Sequence, residues 1–239
     1  MPTQQYTGEQ IQPMQGFYIA IVTKISEDPE SLFSVQIEIQ SDTPTKNILW
    51  ARMSNFYATS GAGSCFLPEI GDEVIVAFIY GDSVYPIILG SLYNKHNKSP
   101  NPLTDNNNDV KSITTKSGML LSFDDNDKTV NIKTPGGNTI TISDKDRGIT
   151  IADQNSNSVE LSSSGILLNS SNNIILKASG NITLQAVGTI SVSSQQDVSL
   201  SGLNVINTAQ MGFTAKGNAT AELSASGETT VKGGIVMIN

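Results

Sequence analysis

From residue 166 onward a single beat governs the chain. Ile166, Ile174, Ile182, Ile190 and Val198 fall eight residues apart, and Leu176, Leu184, Val192 and Leu200 follow two residues after the last four. Ser, Gln, Gly, Ala and Asn fill the intervals. Residues i and i+2 of a strand point to the same face, and eight is even, so each octad presents its apolar pair to one side if the turn preserves parity. A strand of about five residues with one apolar face has nothing of its own to bury it against; such units acquire a core by stacking on neighbours. Two architectures meet that demand. One chain coils with three octads per turn of a β-solenoid, or three identical chains wind together and fill a triangular axis with Ile, Leu and Val. The octads are thin and Ser-rich, with no large aromatic residue to fill a single-chain interior, so composition fits the intertwined trimer better; the spacing alone does not choose. The expected trimer core is Ile166, Ile174, Leu176, Ile182, Leu184, Ile190, Val192, Val198 and Leu200.

The same alternation begins earlier with looser spacing. Val130-Asn-Ile132, Ile140-Thr-Ile142, Ile149-Thr-Ile151 and Val159-Glu-Leu161 are separated by turns such as "TPGGN" and "DKDRG". Residues 112–239 therefore read as one continuous β-repeat. Residues 16–93 differ: they hold Trp50, Cys65 and nearly all the aromatic residues. "GFYIAIVTKI", "LFSVQIEI", "NILWARM", "DEVIVAFI" and "VYPIILGSL" are five strand-like runs bounded by turn signals, which suggests a small closed barrel of the OB type. Residues 1–15 form an N-terminal extension, and the Asn- and Pro-rich stretch 94–111 a linker. The expected fold class is all-β: an N-terminal OB-fold barrel followed by an intertwined trimeric β-helix, or β-prism.

A net charge of −8 with charged residues at 15% disfavours nucleic-acid partners, which call for clustered Lys and Arg. One cysteine forms no intrachain disulfide, and Cys65 is expected as a small buried apolar residue. His96, the sole histidine, lies in the polar linker without a nucleophile motif. Asp124, Asp125 and Asp127 lack the Gly and closing Glu of an EF-hand loop and read as a hairpin turn, and Glu69 and Asp72 read as turn residues that lead into the next strand. The sequence contains no expected catalytic or cofactor-binding residue and no metal ligand. The amino terminus has no basic segment followed by an apolar core, so export by the general secretion route is not expected. No apolar run approaches the roughly 20 residues of a membrane helix.

The run from Trp50 to Pro100 resembles a known family. "WARM", the Gly-rich "SGAGS", "PEIGDEVIVAF", "GDSVYPIILGSLYN" and "NKSP" are similar, in order, to the OB domain of VgrG (valine-glycine repeat protein G) and of gpV-like phage baseplate spikes, and the octads with the ending "VKGGIVMIN" resemble their C-terminal needle. The resemblance implies a homotrimeric, membrane-puncturing spike of a contractile injection machine: a type VI secretion system, a phage tail or a related particle. It further implies hub, baseplate and inner-tube partners at the OB end, a PAAR-repeat cap at the other end, effectors as cargo and transient contact with a target membrane. Assembly in the bacterial cytoplasm, or in a phage or tail-like particle, and delivery outward by contraction follow from it. The chain departs from the family in two respects. Only about 15 residues precede the first OB strand where family members carry a large hub region, so the chain is either a short spike with a separate hub or the C-terminal part of a longer protein. No His follows His96, so a His-x-His iron apex is not expected; whether ions occupy the axis is left open.

The expected cap-binding tip is Gly233, Gly234, Ile235, Val236, Met237, Ile238 and Asn239, where apolar strand continues without a charged tail. The rival reading is a β-solenoid tailspike or adhesin that binds or cleaves surface polysaccharide. Such a surface normally carries aromatics and paired carboxylates, whereas from Thr129 onward the only aromatic residue is Phe213.

Overall fold

The computed structural model describes residues 14–41 and 46–238. Most of the N-terminal extension, and Asn239 of the expected tip, lie outside the described residues. Five strands close into a barrel: β1 (Tyr18–Lys24), β2 (Ser34–Ile39), β3 (Asn47–Met53), β6 (Glu73–Phe78) and β7 (Pro86–Leu92). A two-residue hairpin, β4 (Ala58–Thr59) and β5 (Ala62–Gly63), stands outside it. The barrel order is β1-β2-β3-β7-β6, with β1 returning to β6; β3 and β7 are parallel and the other pairs antiparallel. Each of the five apolar runs supplies one barrel strand.

Alternation explains closure. In "SVQIEI" of β2, Val35, Ile37 and Ile39 are buried while Gln36 and Glu38 remain partly exposed, because successive side chains leave the pleat on opposite sides. The core joins them to Ala20, Val22, Ala51, Val74, Val76, Phe78 and Ile88. Tyr18 meets Phe78 edge-to-face with ring centroids 5.4 Å apart. The β1–β2 loop is organised by Asp28, whose carboxylate accepts from the backbone N–H of Glu30, Leu32 and Ser34 at 3.1, 2.7 and 2.9 Å. These bonds favour the charged form and hold the Asp28 carboxyl below its ordinary range, the bond from Ser34 contributing most.

Cys65 is exposed, contrary to the expectation of burial. It follows the β4–β5 hairpin, which contributes no barrel wall, so its apolar character finds no core to enter.

The linker is pinned to the barrel. Asn94 Nδ2 donates to Glu73 Oε2 (3.1 Å), Asn97 Nδ2 donates to Asp72 Oδ1 (3.0 Å), and Asn94 closes a turn in which its Oδ1 accepts from the N–H groups of His96 and Asn97 at 2.8 Å each. Seven antiparallel strands follow in simple meander order: β8 (Val110–Thr114), β9 (Leu120–Asp124), β10 (Thr129–Lys133), β11 (Thr139–Ser143), β12 (Gly148–Ala152), β13 (Ser158–Ser162) and β14 (Gly165–Asn169). Lys116, in the β8–β9 turn, donates to Glu69 of the barrel loop at 2.7 Å. Glu69 and Asp72 thus shape the turn before β6, where Asp72 Oδ2 accepts from the Glu69 N–H at 2.8 Å, and also hold the following segments.

Barrel and sheet belong to one compact unit that runs to Ile175; residues from Leu176 form a second. Among the described residues no strand forms within the chain beyond Asn169. The second unit proceeds instead in extended steps between regular bends, at 179–180, 187–188, 195–196, 202–203, 210–211, 218–219, 226–227 and, within the expected tip, 234–235. Ile166, the first member of the eight-residue beat, lies on β14, the last strand of the sheet.

Candidate functional site

Register gives the middle strands of the β8–β14 sheet, β10 to β13, one apolar and one mainly polar face. Ile132 stands opposite Leu121 and Ile140, Ile140 opposite Ile151, Ile151 opposite Val159, and Val159 opposite Leu168. A parallel column runs Phe123, Val130, Ile142, Ile149, Leu161, Ile166. The other face carries Thr129, Asn131, Thr139, Thr141, Ser143, Thr150, Ser158 and Glu160 in its middle strands, with Leu120 and Leu167 on the same side toward its two edges. Cross-strand neighbours this close normally stabilise a sheet by packing.

Burial runs opposite to what a self-sufficient sheet needs. Ile132, Ile140, Ile142, Ile149 and Ile151 are 46%, 38%, 46%, 37% and 45% exposed. Thr139, Thr141 and Thr150, which alternate with them, are the better-shielded side chains, and Ser143 is buried. Thr141 Oγ1 donates to Asn131 Oδ1 at 3.0 Å across the strands, so the polar face satisfies itself. Among the described residues the isoleucine face is only partly covered, with Asn172 to Ile174 of the segment after β14 beside its first column. Its first column lines a groove of about 630 Å³, whose rim is formed by the turns at Asn138 and Asn157.

The turns at both edges of the sheet are cross-braced. At one edge the Asp153 carboxylate accepts from Asn155 and Asn157, each through backbone N–H and side-chain amide, at 2.8 to 3.2 Å. These bonds, led by the Asn157 side chain, depress its pKa to about 2. Ser170 Oγ then meets Asn157 Oδ1 at 2.6 Å. At the opposite edge Asp125 pairs with Lys111 and Asp127 with Lys145, and the Asp124 carboxylate accepts from the Asp127 N–H at 2.9 Å. The aspartates of "FDDND" are thus the β9–β10 turn and its braces.

In the second unit, Leu176, Ile182, Leu184, Ile190, Val192, Val198 and Leu200 are all more than half exposed. Ile235, Val236, Met237 and Ile238 near the end are exposed as well. Among the described residues no three His, Cys, Asp or Glu side chains are grouped so as to hold a metal ion. His96 serves through its backbone, in the Asn94 turn. What the arrangement offers is association: two long apolar surfaces with regular spacing. The sheet face, Ile132 to Ile151, is a site that the octad argument did not include. Its signal was present as the Val-x-Ile and Ile-x-Ile beats, but a β-branched residue with Thr on either side does not reveal which face is covered.

Residues 18–93 match the family model described as the type VI secretion system/phage-baseplate injector OB domain, a span that coincides with the barrel from β1 to β7. Among curated relatives, the type VI secretion system spike protein VgrG1a of Pseudomonas aeruginosa is 38% identical over 78 residues, 32% of this chain and 12% of that protein. VgrG3 of Vibrio cholerae, also a type VI secretion system spike protein, is 40% identical over 65 residues, 27% of this chain and 6% of its own length. The actin cross-linking toxin VgrG1 of Vibrio cholerae is 43% identical over 56 residues, 23% of this chain and 5% of the toxin. The chain thus matches a small part of these much longer relatives. Residues 18–93 thus carry an OB domain of the type VI secretion system/phage-baseplate injector kind, similar to that of the VgrG spike proteins.

Proposed function

We propose that the protein is the homotrimeric spike of a contractile injection system, a structural part without enzymatic activity of its own. The reading rests on the inverted burial of residues 129–152: isoleucines lie open while the threonines between them are shielded. Exposed apolar patches larger than a few hundred Å² are rare on monomers and mark interaction surfaces. Three copies of such a face close a triangular prism, and three octad tails extend it. Full burial of one octad pair stabilises by on the order of 3 to 5 kcal/mol per chain before entropy is subtracted. Repeated along the tail, that gives the kinetic stability a part under axial load requires.

The OB domain supports a baseplate or tube partner at the barrel end, assembly in the cytoplasm or in a tail-like particle, and outward delivery by contraction. The exposed apolar segment 233–238 supports a docking platform for a PAAR-type cap. Light scattering is expected to give three times the chain mass of 25.4 kDa, with the band resisting unheated SDS. A monomer would overturn the reading. Deletion of residues 233–239 is expected to abolish capture of a PAAR-repeat protein in a pull-down and leave the trimer mass unchanged; retained capture would remove the tip from the proposal.

A further inference from the structure

The bends that divide the tail fall eight residues apart, from 171 to 179, 187 and 195; the next step, to 202, is seven, and eights resume at 210, 218 and 226. The apolar slots keep their phase across the short step. Ile174, Ile182, Ile190, Val198 and Val205 each lie three residues beyond the start of a bend and are 55%, 54%, 53%, 55% and 54% exposed. The lost residue is therefore taken from the extended stretch before the bend, where Ser201 alone stands between Leu200 and the bend and the preceding repeats have two residues. The slot two residues further on holds Leu176, Leu184, Val192 and Leu200, and then Asn207.

We infer that Asn207 sets the axial register of the three chains, an inference that rests on the trimer reading above. Ile182/Leu184, Ile190/Val192 and Val198/Leu200 are nearly interchangeable, so a chain displaced by one octad loses little apolar burial in this stretch. Repeats so alike specify register weakly. A carboxamide in an apolar slot breaks the degeneracy. In register, three Asn207 side chains share one layer and can pair donor with acceptor; displaced, each faces Leu200 or Ala215 and remains buried without a partner, which is costly. A lone Asn in the core of a coiled coil fixes alignment at the expense of stability by the same physics. The seven-residue step just before Asn207 acts in the same direction, since a displaced chain would set this short step beside one of eight residues.

The test uses the full chain with Cys65→Ser and a spin label at Ser199→Cys, a position that alternates with Val198 and Leu200 and so faces away from them. The unsubstituted Asn207 protein is expected to give one narrow inter-label distance, and Asn207→Leu and Asn207→Ala to add a second, longer population while native mass stays that of a trimer. After denaturation and refolding, the fraction of chains in the SDS-resistant form is expected to fall several-fold in both variants. A single narrow distance in both variants would overturn the inference and leave the trimer standing. Loss of the trimer in both would overturn it as well, because a register mark is not needed for association. If the parent protein itself is monomeric by light scattering, it is the trimer reading that fails.

Discussion

Asp153 shows how a single polar side chain sets local structure here. Its carboxylate accepts four hydrogen bonds from Asn155 and Asn157, and so fixes the turn between β12 and β13. The bonds need the charged form, which is why its pKa falls to about 2 from an ordinary 3.8. For a depressed carboxylate the stabilisation is fully present above the unfolded value and is lost as pH falls through the folded value. Asp153→Ala is therefore expected to lower the melting temperature by the same amount at pH 7 and pH 5, and by progressively less between about pH 4 and pH 2. Thermal scans of both proteins across that range would test this; a difference that persists undiminished at pH 2 would mean that the turn does not depend on the charge. Gly148 is a second point of close fit, since a Cβ there would lie 2.9 Å from the Leu161 carbonyl oxygen on the neighbouring strand.

At the scale of elements, the barrel was the most legible part of the sequence. Runs such as "SVQIEI" and "EVIVAF" alternate cleanly because one side of each strand meets a core made by the same chain, and the structure puts a strand at each of the five. The meander strands were legible as beats, and "TPGGN" and "DKDRG" do form turns between them. What could not be read was which face lacked cover. "TITI" gives period two but not sidedness, because Thr packs almost as well as Val on a pleated surface. The pairing Thr141–Asn131 settles it: polar side chains that bond across strands shield one another, and the isoleucines are left outward. Cys65 was misread for the opposite reason, as residue type was taken for location. The octads were the most visible feature of the sequence, yet beyond Ile166 on β14 the described ones form no ladder within the chain, since period alone does not say whether the neighbouring strand belongs to the same molecule.

For the whole molecule, the share of backbone and apolar surface satisfied within the chain decreases from barrel to tail. The barrel has a closed hydrogen-bond circuit and its own core. The sheet has its ladder but only one satisfied face, and it is tied to the barrel by Lys116–Glu69, with the linker held by Asn97–Asp72. Among its described residues the tail has neither ladder nor core within one chain. This gradient predicts how the protein fails. In the proposed trimer, Ile182→Asp removes about 2 to 3 kcal/mol of aliphatic burial from each chain and places three carboxylates around one layer, where like charges out of water repel strongly. The tail is expected to open around that layer while the barrel, whose core is its own, stays folded. Limited proteolysis of the variant should cut rapidly within residues 176–238 and leave an intact fragment that contains residues 18–93. Light scattering should show a native mass below that of the parent. A tail as protease-resistant as the parent's, at unchanged mass, would mean that Ile182 does not face the axis, and the buried role of the octads would have to be abandoned.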